Sequence, residues 1–181
     1  MRLVLTSPED TMELGAMLAR AMSASTVRNL YLFADLGGGK TTLARGFVAA
    51  LPGGETAEVA SPSFTLCNVY PTRPEVLHAD LYRLSEGASL PEEMEEMLDD
   101  GDPFLLLEWP EYLAPRYRAE ERIDVSLQPA DGEGAKQLDN DDKSCKAFRL
   151  ASIEARGEKA GALLRDLSPA LWMRFLPADE A

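Results

Sequence analysis

Lys40 and Thr41 lie in the stretch Ala34-Asp35-Leu36-Gly37-Gly38-Gly39-Lys40-Thr41-Thr42, whose residue types suit the binding of a phosphate chain. Glycines tolerate positive φ and let backbone N–H groups wrap closely round an anion. A helix N-terminus aimed at the charge adds its dipole. In the pattern GxxxxGK(S/T) the lysine reaches the outer phosphates and the hydroxyl joins magnesium. The last three signature positions are intact here, and the first is Ala34. If that position required positive φ, alanine would cost roughly 1 kcal/mol relative to glycine. A strand end with ordinary dihedrals would accept it without penalty.

A magnesium nucleotide also calls for a carboxylate at the end of a neighbouring buried strand. Glu108 closes Phe104-Leu105-Leu106-Leu107, and Asp80 closes Val76-Leu77-His78-Ala79. An acid at the mouth of an apolar strand is costly unless a cation accompanies it. Both are candidates, against the plainer reading of each as a solvated strand end. Their division between direct metal ligand and water positioning stays open. His78, the only histidine, is read as a packed residue before a proton carrier. Arg83 and Arg116 are read as surface ion-pair partners before stabilisers of phosphate charge. Asn140-Asp141-Asp142-Lys143 does not make a guanine-reading NKxD motif, so ATP is favoured over GTP.

Those residues need a strand, a loop and a helix in that order, and the pattern supplies them. Leu30, Tyr31, Leu32 and Phe33 form an apolar run within 27–33 that suits a strand buried on both faces. After the glycines, Leu43, Phe47, Val48 and Leu51 recur at helical spacing until Pro52-Gly53-Gly54. Upstream, a short strand at 3–5 precedes Thr6-Ser7-Pro8-Glu9-Asp10, a helix-start signature, and that helix reaches about Ser23. Downstream, strands are expected at 63–70, 75–80, 104–108, 123–127 and 148–153, and an acidic helix with one apolar seam at 90–100. A last helix is expected over 158–167, stopped by Ser168 and Pro169.

The chain of 181 residues is the size of one compact domain. Residues 1–128 are expected to form a P-loop ATPase core, 129–143 an acidic mobile insert, and 144–181 a C-terminal strand and helix on the same domain. Its 18 Lys plus Arg stand against 31 Asp plus Glu, a formal net charge of -13. Such a surface repels nucleic-acid backbones, so any RNA connection would run through a partner. No signal-peptide pattern and no membrane-length apolar run is present, which gives a cytoplasmic expectation. Cys67 and Cys145 fit neither a metal pair nor a disulfide framework and are read as reduced.

Four stretches together resemble the bacterial TsaE family, the small ATPase of tRNA threonylcarbamoyladenosine biosynthesis. They are the glycine loop 35–42, Ser61-Pro62-Ser63-Phe64-Thr65-Leu66, His78-Ala79-Asp80-Leu81-Tyr82-Arg83-Leu84 and Glu108-Trp109-Pro110-Glu111. The resemblance covers residues 5–128 well and the tail poorly. It implies a P-loop NTPase-like α/β fold: a three-layer α/β/α sandwich round a mixed sheet, with ATP and Mg2+ in the loop. The segment 61–65 would sense the nucleotide. By the same resemblance Asp35, Leu36, Gly37, Gly38 and Gly39 would cradle phosphate with Lys40, Thr41 would hold magnesium and Thr42 a phosphate oxygen. Asp80 and Glu108 would serve the metal and the attacking water, with Trp109 close by. The implied activity is weak ATP hydrolysis that drives turnover of a TsaD–TsaB complex, with tRNA contacted only indirectly. Ala34 and the acidic insert depart from the family pattern.

Two rivals remain. A small-molecule kinase shares the loop, but such enzymes need an arginine-rich lid, and none stands between Asp80 and Asp124. A nucleotide-gated binding protein would suit the acid excess, with hydrolysis incidental.

Overall fold

The computed structural model describes residues 1–99, 101–130 and 149–177. Apart from Pro129 and Ala130, the acidic insert lies outside them, as do Cys145, Phe148 and the end of the chain. Chain order is β1 (Arg2–Leu5), α1 (Pro8–Ser23), β2 (Asn29–Phe33), α2 (Lys40–Ala49), β3 (Cys67–Tyr70) and β4 (Val76–Asp80). Then come α3 (Glu92–Asp99), β5 (Phe104–Glu108), β6 (Arg122–Pro129), β7 (Arg149–Arg156), α4 (Glu158–Arg174) and β8 (Leu176–Pro177).

The strands form one eight-stranded sheet in the order β3-β4-β5-β2-β6-β7-β1-β8. β4, β5, β2 and β6 run parallel, while β3 and the group β7, β1 and β8 join by antiparallel pairings. The sheet is mixed, as expected. Its central strands are apolar on both faces because both are covered. On β2, Leu30 and Leu32 enter one core with α1, α2 and α4, and Tyr31 enters the other with Met94 of α3. The alternation along one strand thus produces three layers.

α1 and α2 meet backbone to backbone. A Cβ on Gly46 would lie 1.9 Å from the Met12 carbonyl oxygen, and one on Gly15 would lie 2.2 Å from that of Leu43. Only glycine permits this approach, and it fixes the helix that begins with Lys40.

The α1 start is built as its sequence signature implies. The Ser7 hydroxyl accepts from the Asp10 N–H at 3.1 Å, and the Asp10 carboxylate accepts from the Thr6 N–H and hydroxyl at 2.8 and 2.7 Å. Arg174 of α4 donates to the other carboxylate oxygen at 2.8 Å. Burial works to raise the Asp10 pKa, but the Thr6 bonds and Arg174 outweigh it and hold the carboxyl below its ordinary value. A depressed carboxylate stabilises the fold above the unfolded-state pKa, near 4, and loses that stabilisation as pH falls through the folded value. Asp10→Asn is therefore expected to cost about 1 kcal/mol at neutral pH. Native and variant stabilities, measured by urea melts from pH 7 to pH 2.5, should converge at the acid end.

Three expectations need correction. Residues 63–66 are not strand: the Leu66 N–H donates to the Pro62 carbonyl at 2.7 Å, and Leu66 has φ 67°, so a turn precedes β3. α4 does not stop at Ser168 but continues to Arg174 with Pro169 inside it. An interior proline costs about 3 kcal/mol. Burial of Leu171 and Phe175 beyond it offsets that cost. Arg83 and Arg116 form no ion pair among the described residues; each guanidinium stacks on an aromatic ring, Phe64 and Tyr117 respectively.

Candidate functional site

The parallel strands β2, β4 and β5 end at one edge of the sheet, where open α/β sheets bind ligands. The glycine loop leaves β2 there and enters α2. Asp80 and Glu108, paired in register at the ends of β4 and β5, face the loop. Gly37, Gly38, Gly39, Lys40, Thr41 and Thr42 line a cleft of about 250 Å³ with Asp80, Glu108, Trp109 and the Ser61 and Ser63 side. Leu36, 69% exposed, stands at its mouth. Of the expected loop residues, only Asp35 is absent from the lining. It contributes its carbonyl, which accepts from the Gly38 N–H at 2.9 Å and from Lys40 Nζ at 3.1 Å.

The loop's shape depends on glycine where φ is positive, at Gly37 (73°) and Gly39 (105°). Ala34 is not among the positive-φ residues. The departure from the signature is therefore without backbone strain. Gly38 takes up the accommodation, since a Cβ there would lie 2.6 Å from that of Ala34.

Lys40 is buried, with Nζ 2.6 Å from the Ala34 carbonyl and 4.0 Å from the centre of the Trp109 ring. Burial lowers its pKa, and the nearby charges of Glu108, Asp80, Glu111 and Asp35 only partly restore it. Trp109 reaches this position because its backbone adopts φ 58° directly after β5, an uncommon conformation for a bulky residue. Its ring also packs on Tyr82 at 4.9 Å.

Glu108 is almost fully buried, and its Oε1 receives two contacts: the Thr41 hydroxyl at 3.0 Å and His78 Nε2 at 2.8 Å. Asp80 is held differently. Its Oδ2 accepts from Ser63 at 2.7 Å and Ser61 at 3.4 Å, and its Oδ1 from the Tyr82 N–H at 2.9 Å. Asp80 thereby ties the Ser61–Leu66 turn to the cleft. Chemically, the cleft offers a cradle of N–H donors, one lysine, the hydroxyls of Thr41, Thr42, Ser61 and Ser63 and two carboxylates, an arrangement suited to a polyphosphate with a hard cation.

A family model described as threonylcarbamoyl adenosine biosynthesis protein TsaE matches residues 5–138. The chain belongs to the TsaE family. A tRNA threonylcarbamoyladenosine biosynthesis protein TsaE from Streptomyces coelicolor is 33% identical over 129 residues, covering 70% of this chain and 84% of that protein. One of the same description from Nostoc sp. is 33% identical over 157 residues, covering 84% and 93%. Among solved structures, the crystal structure of Bacillus subtilis YdiB superposes with a TM-score of 0.69 at 25% identity, covering 94% of this chain and 95% of that one. The fold is thus that of a P-loop nucleotide-binding protein.

Sequence reasoning missed Arg149. From β7 it donates Nη2 to the Gly37 carbonyl at 3.2 Å, and its Nε lies 3.4 Å from where a Gly39 Cβ would sit. It is not part of the cleft lining, so it braces the loop from outside. No local signal marks it, because 112 residues separate the partners. Cys67 is free and half-buried, and burial raises its thiol pKa, which disfavours the thiolate.

Proposed function

We propose that this chain binds ATP with Mg2+ at the glycine loop, hydrolyses it slowly alone, and supports threonylcarbamoyladenosine modification of tRNA by driving turnover of TsaD-like and TsaB-like partners. The observation that carries this reading is the pair Asp80 and Glu108 set in register opposite Lys40 and Thr41. Family membership supports the pathway. The acid excess argues that tRNA is reached through partners. No helix among the described residues is long and apolar enough to cross a membrane, and a cytoplasmic site of action accords with a tRNA substrate. We take residues 1–128 as the ATPase core, 129–143 as an insert and 144–181 as the remainder of the same domain.

The donor set fits magnesium. Thr41 and Glu108 offer one hydroxyl and one carboxylate, all oxygen, and no group of three or more His, Cys, Asp or Glu that could hold a metal ion occurs among the described residues. An ion that keeps phosphates and waters as most of its ligands needs no more. When bound, magnesium supplies neutralisation of the phosphate charge. Lys40, released from the Ala34 and Asp35 carbonyls, binds the outer phosphates. The loop N–H groups and Thr42 fix the phosphate chain. Glu108 sits on the Thr41 side. Asp80, held by the two serine hydroxyls, positions the attacking water and couples it to the 61–66 turn.

Two buried carboxylates would repel a bare polyphosphate. Chelating magnesium with EDTA is accordingly expected to weaken ATP binding by roughly 100-fold, measured by calorimetry. Equal affinity with and without the cation would remove the proposed metal role.

A further inference from the structure

His78 stands in the wall behind the cleft rather than in it. It is fully buried and does not line the cavity, so it cannot touch a nucleotide. Its position on β4 pairs with Leu106, two residues before Glu108, which places the imidazole on the same sheet face as that carboxylate. Nε2 meets Glu108 Oε1 at 2.8 Å, whereas Nδ1 is buried with no hydrogen-bond partner among the described residues. A proton on Nδ1 would be a buried donor with nothing to bond, so the ring proton belongs on Nε2, where an acceptor waits. An apolar ring of the same size would remove the orphaned nitrogen and pack at least as well. What imidazole adds is one fixed donor aimed at Glu108.

The second donor on that oxygen is not fixed. The Thr41 hydroxyl rotates about one bond, and under the functional reading above, on which this inference rests, it must turn to the incoming ligand. We propose that His78 is the positioning residue for Glu108: its Nε2–H holds the carboxylate in its cleft-facing rotamer and remains the anchor when Thr41 changes partner. The energy of that bond lies within a water-poor wall, where a lone donor to a carboxylate is strong.

The test compares His78→Gln, whose amide nitrogen can reach the place of Nε2, with His78→Leu, which has no donor. His78→Leu should lower ATP turnover at least tenfold while affinity for metal-free nucleotide changes less than about twofold, and His78→Gln should stay within about threefold of native. In a Glu108→Gln background, His78→Leu should add less than about twofold. Equal loss in the Gln and Leu variants, or native turnover in folded His78→Leu, would overturn the assignment. A readout independent of turnover is the 15N spectrum of the single histidine, which should show a slowly exchanging Nε2–H whose shift moves in Glu108→Gln. An Nδ1–H tautomer would contradict the proposal even if hydrolysis followed every expectation. Native ATP turnover tests the functional reading separately, because the variant ratios and the spectrum do not depend on its absolute rate.

Discussion

Lys40→Ala is expected to weaken magnesium-ATP binding by roughly 100-fold, the loss of about 2.7 kcal/mol, while leaving the fold intact. The size follows from the site. Among the described residues, Lys40 is the only cation lining a cleft that also holds two buried carboxylates, so without it only N–H groups, hydroxyls and a bound metal ion answer the outer phosphates. The direction of its pKa favours intact folding. Burial makes the protonated ammonium harder to hold in the folded chain than in the unfolded one, so removing it relieves a desolvation cost. The sign is testable too. The unfolded chain keeps the proton to higher pH, so native stability should rise as pH climbs from the lowered Lys40 value toward 10.5, and the alanine variant should lack that rise. Undiminished ATP affinity in the variant, by calorimetry, would show that the loop does not grip the phosphates.

Glu108→Gln is expected to cut turnover by roughly 100-fold or more, with binding of metal-free ATP unchanged or tighter. The substitution keeps the shape and an oxygen for Thr41 and His78, but removes the charge. Loss of turnover with retained binding separates a role in chemistry from a role in holding the strand end. Single-turnover phosphate release and a nucleotide titration on the same preparation supply both numbers. If binding collapses together with turnover, Glu108 acts through the architecture of the cleft instead.

Much of this site could be read from the chain because it is local in sequence. The apolar run of β2, the glycines and the amphipathic start of α2 are contiguous, so loop and helix N-terminus follow from order alone. Glu108 and Asp80 were visible for a different reason: an acid directly after four residues that are all, or all but His78, apolar is anomalous without a cation. The mixed three-layer fold was implied by the family resemblance. What could not be read depends on contacts between distant segments. Pro169 reads as a stop, and only the core beyond it, with Leu171 and Phe175, makes continuation worthwhile. Leu66 reads as part of a strand until Ser63 is seen bonded to Asp80, 17 residues away. The start of α4 has no side-chain cap of its own at Gly157. Glu121 serves instead, accepting from the N–H groups of Glu158, Lys159 and Ala160. Those three bonds, the Ala160 one foremost, lower its carboxyl pKa. His78 was read as packing, and its burial agrees. The bond to Glu108 appears only once β4 and β5 lie side by side.

Ala34 turned out to matter less than the pattern suggested, because its backbone does not need positive φ. Trp109 and Arg149 touch the loop from either side of β2: the indole lies over Lys40 and the guanidinium behind Gly37.

The most direct measurement of the central claim is phosphate release from ATP by the purified chain, alone and with TsaD-like and TsaB-like proteins added. Slow release alone and a clear rise with both partners is the predicted result. Fast release that partners leave unchanged, or transfer of the phosphoryl group to a metabolite, would contradict it.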